Sequence, residues 1–150
     1  MSVEVPMKVR RLLDPLELAF FERILAECHR ADRQVLEDQL RRINKVRRYE
    51  HPSKAQAQTI LYWKGWFRVR RDFPCSFPSN RTEERLAEAV MVAAGERVRI
   101  TAWILTGAIA WLTFEPRRIA IDARTPAPTY ERFQLFADRP AGVDPAQGID

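Results

Sequence analysis

The chain has 150 residues, of which 46% are hydrophobic and 30% charged, as is typical of one globular domain rather than a disordered chain. Two cysteines without a CxxC or Cys/His cluster exclude a disulfide framework and argue against a structural metal site. The longest uncharged stretch, residues 100–114, is too short to span a membrane, and the N-terminus lacks the apolar run of a signal peptide. We therefore expect a cytoplasmic protein with no membrane partner, folded as one domain over residues 1–138 with a flexible tail at residues 139–150.

The net charge of +5 is unevenly distributed along the chain. Residues 1–40 and residues 72–150 each carry a net charge of −2. Residues 41–71 carry ten basic side chains against Glu50 alone. Positive charge concentrated in one fifth of the chain indicates a surface that attracts an acidic partner.

The first predicted element is a helix with a well-marked start. Asp14 suits the N-cap, Pro15 the first turn, and Glu17 the position that completes a capping box. Apolar residues then recur at three- and four-residue spacing to about Asn44. This pattern predicts an N-terminal amphipathic helix, either unbroken or divided near Asp32.

The middle of the chain predicts strands and a second helix. Residues 59–73 are rich in aromatic and β-branched residues, which favour a strand. Thr82, followed by two glutamates and a set of apolar residues, predicts a second helix that ends at Gly95. Residues 130–136 predict a last strand.

Residues 98–114 predict an apolar hairpin with its turn at Thr106-Gly107. Because both faces of this hairpin are largely apolar, we expect it in the middle of the sheet, with Trp103 and Trp111 facing each other. The predicted fold class is α+β, with the amphipathic helix and the second helix packed on one mostly antiparallel sheet.

Parts of this pattern resemble a group of small uncharacterised bacterial α+β domains that share a leading helix pair and a closing apolar hairpin. The resemblance covers about residues 12–116, and residues 45–80 depart from it. It implies an α+β fold and carries no activity that can be transferred. The residues that carry it are Leu13-Asp14-Pro15-Leu16-Glu17, Phe20-Phe21-Glu22-Arg23-Ile24-Leu25, Val35-Leu36-Glu37, Gln39-Leu40 and Leu112-Thr113-Phe114-Glu115.

A basic and aromatic segment is the main candidate for a binding site. On a strand, Trp66, Arg68 and Arg70 share one face, where they can stack on rings and pair with carboxylates or phosphates. The alternative is a solvated strand face in which each arginine stem covers an aromatic ring. Basic residues around the end of the first helix extend the candidate site: Arg41, Arg42, Lys45, Arg47 and Arg48.

The sequence contains no recognisable catalytic motif. Neither cysteine has a histidine placed locally to activate it, and the five glycines are too scattered for a phosphate-binding loop, so no cofactor is expected. Glu115 and Asp122 end apolar runs and can meet at one end of the sheet, but ion pairs with Arg117 or Arg118 are the favoured explanation.

These observations lead us to expect a non-enzymatic binding module that holds an acidic protein partner, such as an adaptor, an assembly subunit or an immunity-like protein. The alternative is a nucleic-acid-binding protein that uses phosphate contacts and aromatic stacking. The modest net charge and the lack of a helix-turn-helix, RNP, KH or zinc-finger pattern favour the protein partner. An enzyme built on converging carboxylates and a homo-oligomer formed through the first helix both stay open.

Overall fold

The computed structural model describes residues 5–50, 56–63, 77, 83–119, 121–122 and 124–136. The predicted tail at residues 139–150 lies outside them, as does most of the segment between residues 64 and 82. The described part of the chain contains three helices followed by six strands. These are α1 (Met7–Arg10), α2 (Pro15–Glu27), α3 (Arg30–Arg42), β1 (Ile43–Glu50), β2 (Ala57–Trp63), β3 (Glu83–Ala93), β4 (Glu96–Leu105), β5 (Ala108–Glu115) and β6 (Thr129–Leu135).

Helix α2 begins with the capping box that its sequence predicts. The Glu17 backbone N–H donates to the Asp14 carboxylate, and the Asp14 N–H donates to Glu17 Oε1, each at 2.9 Å. The helix ends at Cys28, whose backbone is extended. His29 then caps α3 by accepting a hydrogen bond from Ala31 N–H at 3.3 Å.

The six strands form one sheet in the order β1-β2-β5-β4-β3-β6, so β1 and β6 lie at its edges. Every neighbouring pair is antiparallel, and the predicted α+β class is confirmed. The β4–β5 hairpin lies at the centre, where its apolar sequence places it. Trp103 lies directly opposite Trp111, as predicted, and its Nε1 donates to Thr113 Oγ1 at 3.0 Å.

The helices lie against one face of this sheet, which we call the helix face. Even-numbered residues of β4 from Val98 to Ile104 are buried, whereas Arg97 and Arg99 are exposed, because successive side chains point to opposite faces. The Tyr130 hydroxyl on β6 donates to the Ala19 carbonyl of α2 at 3.0 Å, which joins this face to a helix. We call the opposite side the second face.

Strand β3 replaces the second helix, so the helix predicted from Thr82 to Gly95 is wrong. Alanine, leucine, glutamate and methionine in this stretch favour helix in isolation. However, β3 pairs with both β4 and β6, and Ala87, Ala89 and Met91 are buried at two-residue spacing. Pairing on both sides and burial outweigh the local helix preference.

Both tight hairpins turn on two residues with positive φ. Ala94 and Gly95 have φ values of 51° and 76°, and Thr106 and Gly107 have values of 52° and 83°. Positive φ at both central positions is the mark of a type I′ turn, whose twist matches that of the flanking strands. The turn predicted at Thr106-Gly107 is confirmed, and Gly95 belongs to a hairpin rather than to a helix end.

Apolar residues of the helices and of the helix face form one core. Phe20, Phe21, Phe77 and Phe114 are among its largest fully buried side chains. The Phe20 ring meets Phe133 of β6 edge-on, with 6.4 Å between centroids. Burying one such side chain contributes about 1.5–3 kcal/mol to folding, so these contacts help to hold the helices on the sheet.

Gln39 fixes α3 to the central hairpin. Its side chain is fully buried; Nε2 donates to the Gly107 carbonyl at 3.0 Å and Oε1 accepts from Ile109 N–H at 2.8 Å. The amide therefore joins α3 to backbone groups at the β4–β5 turn, where the Gly107 carbonyl also accepts from Phe77 N–H at 2.9 Å.

Candidate binding surface

Strand β1 divides its charged side chains between the two faces of the sheet. Lys45, Arg47 and Tyr49 are exposed and share one side, while Val46 and Arg48 point to the other. Arg48 contacts α2, so its side is the helix face. Lys45, Arg47 and Tyr49 consequently lie on the second face.

Aromatic rings accompany both cations on the second face. Tyr62 of β2 lies opposite Lys45, whose Nζ is 5.8 Å from the centroid of the Tyr62 ring. The Arg47 guanidinium is 5.9 Å from the centroid of the Tyr49 ring. A cation within about 6 Å of a ring centroid is attracted to the ring face. We call Lys45, Arg47, Tyr49 and Tyr62 the basic–aromatic surface.

A side-chain hydrogen bond with Tyr62 raises the pKa of Tyr49 above its ordinary value. With 43% of its surface accessible, Tyr49 is one of two exposed large hydrophobic side chains among the described residues. An exposed tyrosine beside an arginine is a common anchor at protein interfaces. Neither tyrosine was among the predicted site residues, although the alternation in residues 45–49 is typical of a strand that presents Tyr49 on the same side as the cations.

The positive charge of the basic–aromatic surface is not neutralised within the described residues. No carboxylate there forms an ion pair with Lys45 or Arg47. The second face over β3, β4 and β5 is different, since its arginines have carboxylate partners. These pairs are Arg85–Glu88 at 3.5 Å, Arg97–Glu131 at 2.8 Å and Arg99–Glu115 at 3.7 Å. The second face therefore has excess positive charge at β1 and paired charges over β3, β4 and β5, while on β6 the exposed Arg132 forms no ion pair with a described carboxylate.

Three of the predicted site residues, Trp66, Arg68 and Arg70, lie outside the described residues, so their role stays a prediction. Lys45 belongs to the basic–aromatic surface.

Arg41 and Arg42 lie exposed in the last turn of α3, just before β1. Arg42 Nε pairs with Asp38 at 3.3 Å, one helical turn earlier. Arg41 forms no ion pair with a described carboxylate, so it extends the excess positive charge to the end of α3.

Arg48 is joined to a buried carboxylate instead. Its Nη2 lies 2.6 Å from Oε1 of Glu17, and its Nε donates to Oε2 at 3.1 Å. Glu17 is fully buried, and Arg118 approaches the same carboxylate at 2.8 Å from the segment after β5. The Thr59 hydroxyl on β2 also donates to it. We call Glu17, Arg48, Arg118, Thr59 and the neighbouring Asp14 the Glu17 cluster.

The Glu17 cluster contains two carboxylates and two guanidinium groups, so its charges balance. Asp14 lies 3.8 Å from Arg48 and 3.5 Å from Arg118. Burial raises the pKa of Asp14, and the adjacent Glu17 carboxylate raises it further. A balanced, hydrogen-bonded cluster of this kind joins elements of the fold, and it removes Arg48 from the unpaired cations of β1.

Glu115 and Asp122 take partners other than those predicted. Glu115 pairs with Arg99 and not with Arg117 or Arg118. The Asp122 carboxylate accepts backbone hydrogen bonds from Arg124 N–H at 2.8 Å and Thr125 N–H at 3.0 Å, and these hydrogen bonds lower its pKa. Each carboxylate thus has a local structural partner.

Among the residues that the structure describes, no three His, Cys, Asp or Glu side chains come together in a way that can hold a metal ion. In the same part of the chain, no helix combines the length and apolar character needed to cross a bilayer.

No protein-family model matches this chain, and no match was found among curated proteins or solved structures. The resemblance to small bacterial domains therefore stays a prediction, and the geometry described above carries the functional argument.

Proposed function

We propose that the protein is a non-enzymatic binding module that holds an acidic protein partner on its basic–aromatic surface. One observation carries this proposal: Lys45 and Arg47 are exposed beside Tyr49 and lack a carboxylate partner among the described residues, whereas the arginines of β3 and β4 on the same face are paired. Such a module serves as an adaptor, an assembly subunit or an immunity-like protein.

The physical gain from an acidic partner comes from charge and from apolar area together. Each carboxylate brought to an exposed cation contributes about 0.2–1 kcal/mol, and more where the partner excludes water. Tyr49 and Tyr62 add aromatic area beside those charges, and aromatic side chains supply much of the energy of protein interfaces. This combination favours a polypeptide that carries carboxylates next to apolar groups.

The charges beyond β1 favour a protein over a nucleic acid. A strand of phosphates laid across the second face meets Glu88, Glu115 and Glu131, which repel it even though each has an arginine partner. The unpaired cations at β1 cover a small area, whereas nucleic-acid-binding surfaces carry basic stripes or patches that contact many phosphates.

The test measures binding of two fluorescent probes, a peptide of alternating glutamate and valine and a thymidylate oligonucleotide of equal charge. The test variant is Lys45→Glu combined with Arg47→Glu. The matched control is Arg30→Glu combined with Arg124→Glu, which changes the net charge equally at exposed positions outside the strands.

We expect the peptide to bind, and the test variant to weaken it about tenfold or more, since reversing two charges near a carboxylate costs roughly 1.4 kcal/mol or more. The control variant should change the affinity by less than about twofold at physiological salt, where the effect of its altered net charge is screened. Equal effects of the two variants would contradict the proposal. Tighter, steeply salt-dependent binding of the oligonucleotide would favour the nucleic-acid alternative instead.

A further inference from the structure

Strand β1 is an edge of the sheet, and its outer side has no described backbone partner. Its inner side pairs with β2, and no other described segment makes a backbone hydrogen bond to it. From Asn44 to Glu50, every residue except Val46 is exposed. An exposed edge strand offers a row of N–H and C=O groups to which another strand can add.

We infer that the acidic partner binds as an extended strand added to the outer side of β1. This inference rests on the proposed function and specifies the partner's conformation. An added strand lies about 4.7–4.9 Å from β1 and presents every second side chain to the second face. Carboxylates at alternate positions then lie opposite or diagonal to Lys45 and Arg47, the arrangement in which opposite charges stabilise a sheet.

The charge of β1 argues against a second copy of the same chain at this edge. When two β1 strands pair antiparallel about Arg47, the two Arg47 side chains lie directly opposite each other. Like charges opposite each other destabilise a sheet. The other edge, β6, carries Glu131 beside Arg132 and so has no net charge to attract an acidic strand. An acidic segment of another protein avoids the contact between like charges and is attracted by the positive charge of β1.

Strand β1 is also held in place from its helix face. Arg48 reaches Glu17 at 2.6 Å and donates to the Leu12 carbonyl at 2.8 Å. These contacts fix the middle of β1 to the helical layer on the side away from Lys45 and Arg47. An edge strand that is ordered before binding loses little conformational freedom when a partner strand is added.

The test compares three versions of the alternating glutamate–valine peptide. One is unmodified, one carries N-methyl groups on the glutamates, and one carries them on the valines. In an added strand, the N–H groups of one set point at β1 and those of the other set point away. We expect one methylated peptide to bind within about twofold of the unmodified peptide and the other to bind at least tenfold more weakly. Amide exchange at alternate residues of β1 should slow in the complex.

Equal binding of the two methylated peptides, or no binding of the unmodified peptide, would overturn strand addition. The same peptides distinguish failure of strand addition from failure of the proposed function. If the methylated peptides bind equally but Lys45→Glu with Arg47→Glu still weakens them, the surface binds acidic protein without adding a strand. If that double variant does not change the affinity for any of the peptides, the proposed function is contradicted as well.

Discussion

Replacing Glu17 with alanine removes the carboxylate on which Arg48, Arg118 and Thr59 converge. Glu17 is fully buried, and the Arg118 side chain is only 11% exposed, so water cannot replace the lost partner at that guanidinium. Arg48 is 34% exposed and recovers part of its hydration. The substitution therefore leaves one arginine almost fully buried, with only Asp14 to oppose its charge.

The cost follows from this geometry. Removing one partner of a buried ion pair typically destabilises a protein by about 3–5 kcal/mol. Rehydration of Arg48 lowers the cost, and loss of the capping-box hydrogen bond to Asp14 N–H raises it, so we expect a decrease of about 4 kcal/mol in the free energy of unfolding. Since domains are stable by about 5–15 kcal/mol, this is a large fraction of the total.

Urea denaturation measures the effect, with Glu22→Ala as the matched control. Glu22 lies on the same helix and pairs with Arg10 at 3.2 Å, but its side chain is 42% exposed, and a surface pair contributes about 0–1 kcal/mol. With a slope of about 2 kcal/mol per molar urea, the Glu17 variant should unfold at a midpoint about 2 M lower. A difference of less than about 1 kcal/mol between the two variants would refute a stabilising role for the buried Glu17 carboxylate.

Three further predictions concern other parts of the fold. Gln39→Leu removes the side-chain hydrogen bonds to Gly107 and Ile109, although the Gly107 carbonyl still accepts from Phe77 N–H, and should lower the free energy of unfolding by about 1–3 kcal/mol. The exposed control Gln34→Leu should change it by under about 0.5 kcal/mol, and urea unfolding that cannot separate the two variants would count against the role of Gln39. Because both positions have positive φ, Gly95→Ala should lower the free energy of unfolding by about 1 kcal/mol, and Ala94→Gly should raise it by up to that amount. A higher melting temperature for the Gly95 variant than for the Ala94 variant would exclude backbone strain as the cause. Burial raises the pKa of Tyr130 from 10.0 to about 12, so the folded state holds this proton more tightly than the unfolded state, and the free energy of unfolding should fall as pH rises from about 10 towards 12. In a phenolate absorbance titration, Tyr130→Phe should lose the step near pH 12. If that step persists in the variant, it does not belong to Tyr130.

Local signals in the sequence were sufficient for several elements. The Asp14–Glu17 capping box and the Thr106-Gly107 turn were both predicted, because each depends on residues within four positions of one another. The central position of the hairpin followed from its apolar faces. Such features are determined by nearby residues and by overall hydrophobicity.

Features that depend on distant pairing were missed. The local sequence of residues 83–93 favours a helix, and it is pairing with β4 and β6 on both sides that makes this segment a strand. The partners of Glu17 lie 31, 42 and 101 positions away along the chain, so its burial cannot be read from the capping motif. At the binding surface, the basic residues of β1 were identified, but the division of Lys45 and Arg48 between opposite faces appears only once β1 is a strand.

The short connection between the β1–β2 hairpin and the rest of the sheet has a consequence for local opening of the molecule. β2 meets β5 only over Ala57–Ile60, opposite Trp111–Phe114, whereas β3 and β4 pair along most of their length. A hairpin attached by a short ladder is a natural unit of partial unfolding, and the Glu17 cluster also joins it to α2. A force applied to β1 from outside is therefore transmitted to the start of α2 through Arg48 and Glu17 as well as to the central strands through β2.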